Sequence, residues 1–287
     1  MSIILDAQTR VLVQGATSRE ARTYVAYMRA YGANVVAAVA SGHGGEQFDG
    51  INVYESVRGA LREQPATFGV IFSPGNLARD AALEAIGHDI RQIAILASDM
   101  PYHDTAFVLE RARARGIRVF GPGTSGIISP GKAKIGPIGG QQPELIFRAG
   151  PVGIVSRSGG IACEIARTLT MCEIGQSTVI ALSDEAPIGT MFVPMLEAFE
   201  IDPDTQAIVI FGQGGTGDEE EIARRAGTGL LRKPVVALIC GDATAPVSAS
   251  KKRRMLRDAG VTVVDAIGEI AGAIEPVLAE DRIAART

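Results

Sequence analysis

The sequence has no tryptophan, only 5% aromatic residues, three histidines and three cysteines in 287 residues. With so few rings, its core is expected to be aliphatic, built from Val, Ile, Leu and Ala. Cys163, Cys172 and Cys240 are odd in number and form no C-x-x-C pair. That excludes a disulfide framework and predicts a reduced, cytoplasmic protein. Long apolar runs are also missing: stretches such as Val35 to Ala40 are far too short to span a bilayer, so no membrane is expected. The start, Met1-Ser2-Ile3-Ile4-Leu5-Asp6, reaches a charge too early for a signal peptide. Positive charge is not in excess. The net charge of −4 predicts no nucleic-acid partner, and the one dense basic run, Lys251-Lys252-Arg253-Arg254, reads as a solvated helix face. His43, His88 and His103 all lie in the first half, so spacing composes no Ser-His-Asp or Cys-His site, and no metal site is expected.

What the chain does have is 46% hydrophobic and 21% charged residues, enough to bury a large core and leave a polar surface. Short β-branched runs alternate with helical patterns. Val11–Gln14, Val35–Val39, Val70–Phe72, Ile93–Leu96 and Ile117–Phe120 read as one strand series. Val152–Val155, Thr178–Leu182, Ala207–Phe211, Val235–Ile239 and Val261–Val264 read as a second. Strands that are apolar throughout, with helices between them, predict α/β architecture: parallel sheets covered on both faces by right-handed crossovers. Two series imply two doubly wound domains, 1–125 and 151–287. The Gly- and Pro-rich stretch 126–150 is expected as a linker.

In such sheets ligands sit at the carboxyl ends of strands, where helix starts present free N–H groups. Three loops are placed for this. After the first strand comes Gln14-Gly15-Ala16-Thr17-Ser18-Arg19-Glu20, where Gly15 permits a tight turn and Thr17 or Ser18 can cap a helix. Arg19 and Arg22 are available to phosphates, although a bare structural turn explains the pattern equally well. After the second strand comes Ser41-Gly42-His43-Gly44-Gly45. The third loop is Ser156-Arg157-Ser158-Gly159-Gly160, which leads directly into a helix and is either an anion site or a plain capped start. The acidic run Asp218-Glu219-Glu220-Glu221 reads as capping of a helix start, not as a metal site.

A set of segments, in order, adds a resemblance. They are Val13-Gln14-Gly15, Phe72-Ser73-Pro74, Gly121-Pro122, Gly126-Ile127-Ile128-Ser129-Pro130-Gly131-Lys132, Gly153 to Gly159, Ile174 to Thr178 and Phe199 to Ile208. In combination they resemble the α subunit of succinyl-CoA synthetase over nearly the whole chain. The resemblance implies a Rossmann-like CoA-binding domain followed by a flavodoxin-like ligase domain. It also implies a heteromer with an ATP-grasp-type β subunit, which would supply the NTP and Mg²⁺ chemistry. The substrate would be a small carboxylate, carried as an acyl phosphate. By residue-to-residue matching, the CoA loop falls on Thr17, Ser18, Arg19 and Glu20 beside Gly15. The lysine of the family's Pro-Gly-Lys-Gly-Gly loop is His43, and another CoA-contacting stretch falls on Leu96, Ala97 and Ser98. The phosphate-binding helix start matches Ser158 and Gly159, and the family's substrate-facing tyrosine matches Cys163.

The departures are chemical. In the family, a phosphorylated histidine lies in a Gly-His-Ala-Gly segment after Thr-Ala-Pro. Here Thr244-Ala245-Pro246 runs into Val247-Ser248-Ala249-Ser250-Lys251 with no histidine. The glutamate that holds that histidine corresponds to Gln213, in a loop one residue shorter. A neutral amide stabilises an imidazolium far less than a carboxylate does. Both partners of the relay are therefore missing together. Two readings follow: an enzyme subunit that handles an acyl or carbamoyl phosphate without a histidine relay, or a catalytically inactive CoA-binding scaffold or regulatory subunit.

Overall fold

In the first half of the chain, β-branched runs form a sheet whose central strand is β1 (Arg10–Gln14). Around it lie β2 (Asn34–Val39), β3 (Gln47–Phe48), β4 (Ile51–Tyr54), β5 (Phe68–Ile71), β6 (Gln92–Ile95) and β7 (Arg118–Phe120), in the order β3-β4-β2-β1-β5-β6-β7. This is a computed structural model; it describes residues 3–88, 90–215, 218–241 and 248–284, with side chains to residue 279. The pairs formed by β1, β2, β4, β5, β6 and β7 are parallel, and only β3 runs antiparallel, beside β4. The crossovers are α1 (Arg19–Ala30), α2 (Val57–Glu63), α3 (Gly75–Gly87) and α4 (Tyr102–Ala114). Strand β5 is buried at every position, as expected of a strand covered on both faces.

The second sheet contains β8 (Gly126–Ser129), β9 (Ala133–Ile135), β10 (Ala149–Ser156), β11 (Gln176–Ala181), β12 (Ala207–Gln213), β13 (Val235–Cys240) and β14 (Thr262–Val264), in the order β14-β13-β12-β10-β11-β8-β9. Its helices are α5 (Gly159–Met171), α6 (Phe192–Ile201), α7 (Asp218–Gly227), α8 (Ala249–Asp258) and α9 (Ile270–Ala284). The core is mainly aliphatic as expected, with Phe68, Phe120, Phe192 and Phe199 fully buried in it.

Residues 126–135, expected within a linker, are instead part of this sheet. β8 pairs antiparallel with β11, and β9 pairs with β8. Their Gly and Pro residues serve the tight hairpin, which composition alone cannot distinguish from an unstructured join. The hairpin also links the two sheets. Gly131 N–H donates to the Tyr31 hydroxyl (3.2 Å), and a Cβ on Gly32 would lie 2.6 Å from the Lys132 carbonyl oxygen. Another expectation changes: the basic run on α8 is not wholly solvated, because Lys252 is fully buried. Among the described residues no helix is long and apolar enough to cross a membrane.

Candidate functional site

Each sheet has a central strand from which the connections run outward in both directions. That arrangement opens a crevice at the carboxyl end, β1 beside β5 in one sheet and β10 beside β12 in the other.

In the first crevice the chain leaves β1 through Gly15, at φ +75°, a region that L side chains rarely enter. A Cβ there would also lie 2.7 Å from Ser73 N, so Gly15 is required twice over. Ser18 caps α1, its Oγ accepting from Ala21 N–H (3.0 Å). The first-turn amides of Arg19 and Glu20 precede the helix's own hydrogen-bond ladder and point outward. A cleft of about 490 Å³ opens here, lined by Gly15, Thr17, Ser41, His43, Glu55 and Ser73, among others. The structure thus brings Gly15, Thr17 and His43 together, with Ser18, Arg19 and Glu20 exposed at the adjoining helix start. Leu96, Ala97 and Ser98 do not line this cleft. They follow β6, two strands from β1, and the Ala97 carbonyl accepts from Gly123 N–H (2.8 Å) in the passage toward the second sheet.

Sequence reasoning overlooked Glu55, the first residue after β4. Its carboxylate accepts from Gly42 N–H (2.8 Å) and Gly44 N–H (2.7 Å), and those two amides hold its pKa below the usual carboxylate range. The glycine density around His43 therefore serves an internal anion. His43 Nδ1 lies 3.0 Å from Glu46 Oε1. Asp80 and Glu84 also line the cleft. Its architecture fits a phosphate-bearing cofactor at the α1 start, while the carboxylates disfavour phosphate on the opposite wall.

In the second crevice, Ser158 caps α5 by accepting from Ile161 N–H (3.4 Å), and Ser156 Oγ donates to the Ser158 carbonyl (2.6 Å). Gly159 has no room for a side chain because a Cβ would run into Ser125 Oγ; at exposed Gly160 a Cβ would meet only Ser158 Oγ, at 4.0 Å. Cys163 lies one turn further along α5, half-buried, with its thiol pKa raised by burial and opposed by Gly139 N–H. It neighbours Lys134, which is buried and donates to the carbonyls of Ile138 (2.9 Å) and Gly140. Burial lowers the Lys134 pKa to about 8. Gln213 ends β12 and Ser156 ends β10, so the Gln213 and Ser158 loops flank the same crevice. Thr244-Ala245-Pro246 and Val247 lie outside the described residues.

Beneath these loops is a network that the sequence did not reveal. Arg157 Nη2 lies 3.0 Å from Asp218 Oδ2, with the Arg157 guanidinium over the Phe192 ring (4.7 Å). Lys252 Nζ lies 2.6 Å from Glu219 Oε2 and donates to the Gln213 carbonyl (2.7 Å). The acidic run is therefore divided. Asp218 accepts from Phe192 N–H, capping α6 as well as beginning α7. Glu219 neutralises a buried lysine, and Glu221 pairs on the surface with Arg224 and Arg225. Burial raises the Asp218 pKa, opposed by Phe192 N–H and Arg157. No short spacing signals these pairs, whose partners stand 61 and 33 residues apart.

Fold and site together define an α/β protein with two strand-end crevices, each presenting a capped helix start suited to an anionic group. A family model described as "CoA binding domain" matches residues 6–98, and one described as "Succinyl-CoA ligase like flavodoxin domain" matches residues 149–276. The chain is 40% identical over 281 residues to the succinate–CoA ligase [ADP-forming] subunit alpha of Methanothermobacter thermautotrophicus, covering 92% of each chain. It is 34% identical to the ADP-forming sulfoacetate-CoA ligase subunit SauD of Bilophila wadsworthia, covering 97% of this chain and 92% of that one. The chain belongs to the succinyl-CoA ligase α-subunit family. The fold also matches ATP citrate lyase from Methanosaeta concilii, with a TM-score of 0.85 at 21% identity, covering 96% of this chain and 50% of that one. The chain thus spans about half the length of that solved structure and over nine-tenths of these two relatives.

Proposed function

We propose that this chain is the α-type subunit of an NDP-forming acyl-CoA ligase, or of a related acyl- or carbamoyl-phosphate-handling transferase, working without a histidine phosphate relay. CoA binds in the first crevice. Gly15 lets the backbone approach, the amides and side chains of Thr17, Ser18, Arg19 and Glu20 meet phosphate, and His43 stands where the family carries a lysine. Leu96, Ala97 and Ser98 lie on the route from that crevice toward the second sheet. There an acyl or carbamoyl phosphate is held at the α5 start by Ser158 and the Gly159 and Gly160 amides, with Cys163 facing the substrate. An ATP-grasp-type β subunit contributes NTP and Mg²⁺ in a cytoplasmic heteromer. The relatives named as ligase subunits support the ligase-subunit part of this assignment.

The observation that carries the proposal is the α5 start. It is capped, its Gly160 is exposed with room for a side chain, and it flanks the same crevice as the Gln213 loop, in a chain with no histidine after residue 103. A phosphate clamp of this kind acts by positioning and by charge stabilisation, so it needs no phosphorylated side chain of its own.

The experiment is calorimetry with CoA on the chain alone and on its co-purified complex, followed by incubation of the complex with labelled nucleotide. CoA binding that weakens in Arg19→Ala is expected, as is the absence of acid-labile, base-stable phosphate on this chain. No CoA binding in either form would remove the first half of the proposal. Phosphate on His43, His88 or His103 would overturn the second half. Gly160→Leu is expected to abolish turnover with the fold intact. Full activity in that variant would leave the scaffold reading in its place.

A further inference from the structure

The amino end of the first sheet, opposite the Gly15 crevice, carries a cluster of positive charge that the ligase reading does not use. Helix α4 finishes in Arg111-Ala112-Arg113-Ala114, and the turn Arg115-Gly116-Ile117 leads into β7 at Arg118. A groove of about 390 Å³ lies between this turn and the segment Gly189-Thr190-Met191 before α6. It shares Gly116 and Ile117 with a second hollow of about 760 Å³, which Arg91 and Arg115 also line. The two walls of the groove are tied together: Thr190 Oγ1 donates to the Val119 carbonyl (2.6 Å), and Gly189 N–H to the Gly121 carbonyl (3.2 Å).

Arg91, Arg113, Arg115 and Arg118 thus face two adjoining hollows, and no described Asp or Glu lines either one. Among the described residues, all the ion pairs involve other side chains. Arg115 Nη1 donates to the Ile86 carbonyl (3.0 Å). Exposed arginines without partners are ordinary, but Arg118 is different. It is half-buried, and burial pulls its pKa down with no acid among the described residues to offset it. Half-burial weakens the hydration of that charge, and an anion seated in the groove would restore part of what it loses.

We propose that this groove is a binding site for a phosphate-bearing small molecule, gripped by Arg118 and Arg113, with Arg91 and Arg115 adding charge from the adjoining hollow. Guanidinium forks match phosphate oxygens two at a time, and four of them suit a ligand carrying more than one negative charge. A volume of about 390 Å³ lies within the ordinary range for small-molecule sites. The Asp218 carboxylate already takes Phe192 N–H at the α6 start, so the arginines supply the recognition and the α6 wall supplies shape. The site is separate from the CoA crevice and does not depend on the ligase reading.

Calorimetry on the full chain with inorganic pyrophosphate, ADP and CoA tests the proposal. Saturable pyrophosphate binding is expected, with a rise in melting temperature. Binding should weaken roughly tenfold or more in Arg113→Ala/Arg118→Ala. It should be unaffected by Arg19→Ala and not displaced by CoA. ADP binding more tightly than pyrophosphate, through the same arginines, would identify a nucleotide as the ligand; equal affinities would point to the free oxyanion. Arg113→Glu, at an exposed position, repeats the test without disturbing the half-buried residue. The proposal is overturned by absence of saturable binding, by loss of binding in Arg19→Ala, or by displacement with CoA. It is also overturned if pyrophosphate fails to bind while the arginine variants shed an acidic co-purifying chain, which would make the groove a protein interface.

Discussion

The crevice beside β1 and the crevice beside β10 occupy equivalent places in two sheets of similar topology, and the chain furnishes them in opposite ways. Around β1 the loops are exposed, the helix start is open, and a surface carboxylate, Glu55, holds the glycine amides. Around β10 two cations and two carboxylates are buried together, and the loops rest upon them. An open crevice can exchange a large soluble ligand. One whose floor is made of buried ion pairs is fixed in shape, because moving either partner strands a charge. On this contrast the first crevice is open and adaptable, and the second is fixed in shape.

The largest effect that would break the contrast is at Lys252. Lys252→Met leaves Glu219 charged in the interior and is expected to cost about 3–5 kcal/mol in chemical denaturation. Glu219→Met combined with Lys252→Met should recover most of that loss. No recovery in the double variant would mean that the Lys252 bond to the Gln213 carbonyl matters more than the ion pair. Next in size is Gly159→Ala, expected to cost about 1–3 kcal/mol through the clash with Ser125 and to be relieved by Ser125→Gly. Gly160→Ala should leave stability unchanged or slightly higher.

A pH experiment sharpens the description of the same region. Lys134 titrates near 8 when folded and near its ordinary value when unfolded, because burial disfavours its charged form. Between those values the unfolded chain binds more protons, so stability rises with pH. Wild type should therefore gain on Lys134→Met between about pH 8 and 10, with a slope bounded by about 1.4 kcal/mol per pH unit. A flat difference would show that the carbonyls of Ile138 and Gly140 hold the proton in place. The smallest effects are at the caps. Ser18→Ala and Ser158→Ala should each cost about 1 kcal/mol. Their readouts should diverge: CoA affinity should fall in the first and turnover in the second.

Ten strands were legible from their β-branched runs, because a strand buried on both faces leaves a continuous apolar signature. The short pairs β3–β4 and β8–β9 were not. Two to four residues carry too little pattern, and Gly126 to Lys132 reads as turn chemistry whether or not the flanking residues pair. Within the candidate site, Gly15, Thr17, Ser18, Ser158 and Gly159 were legible because β–α turns need those residue types at those offsets. Glu55, Ser125 and the pairing of Arg157 with Asp218 were not, since each acts on another segment of the chain.

The sequence by itself determined the α/β class, the two strand series, the two loop-to-helix starts and the lack of any histidine beyond residue 103, since each is a matter of local pattern or composition. Only the tertiary structure decided which charges are buried. Lys252 and Lys251 are neighbours in one basic run, yet one is sealed against Glu219 and the other faces solvent. Asp218 and Glu221 begin the same helix with opposite fates. A side chain's free energy depends on what stands against it, and that is fixed by packing between segments that the sequence places far apart.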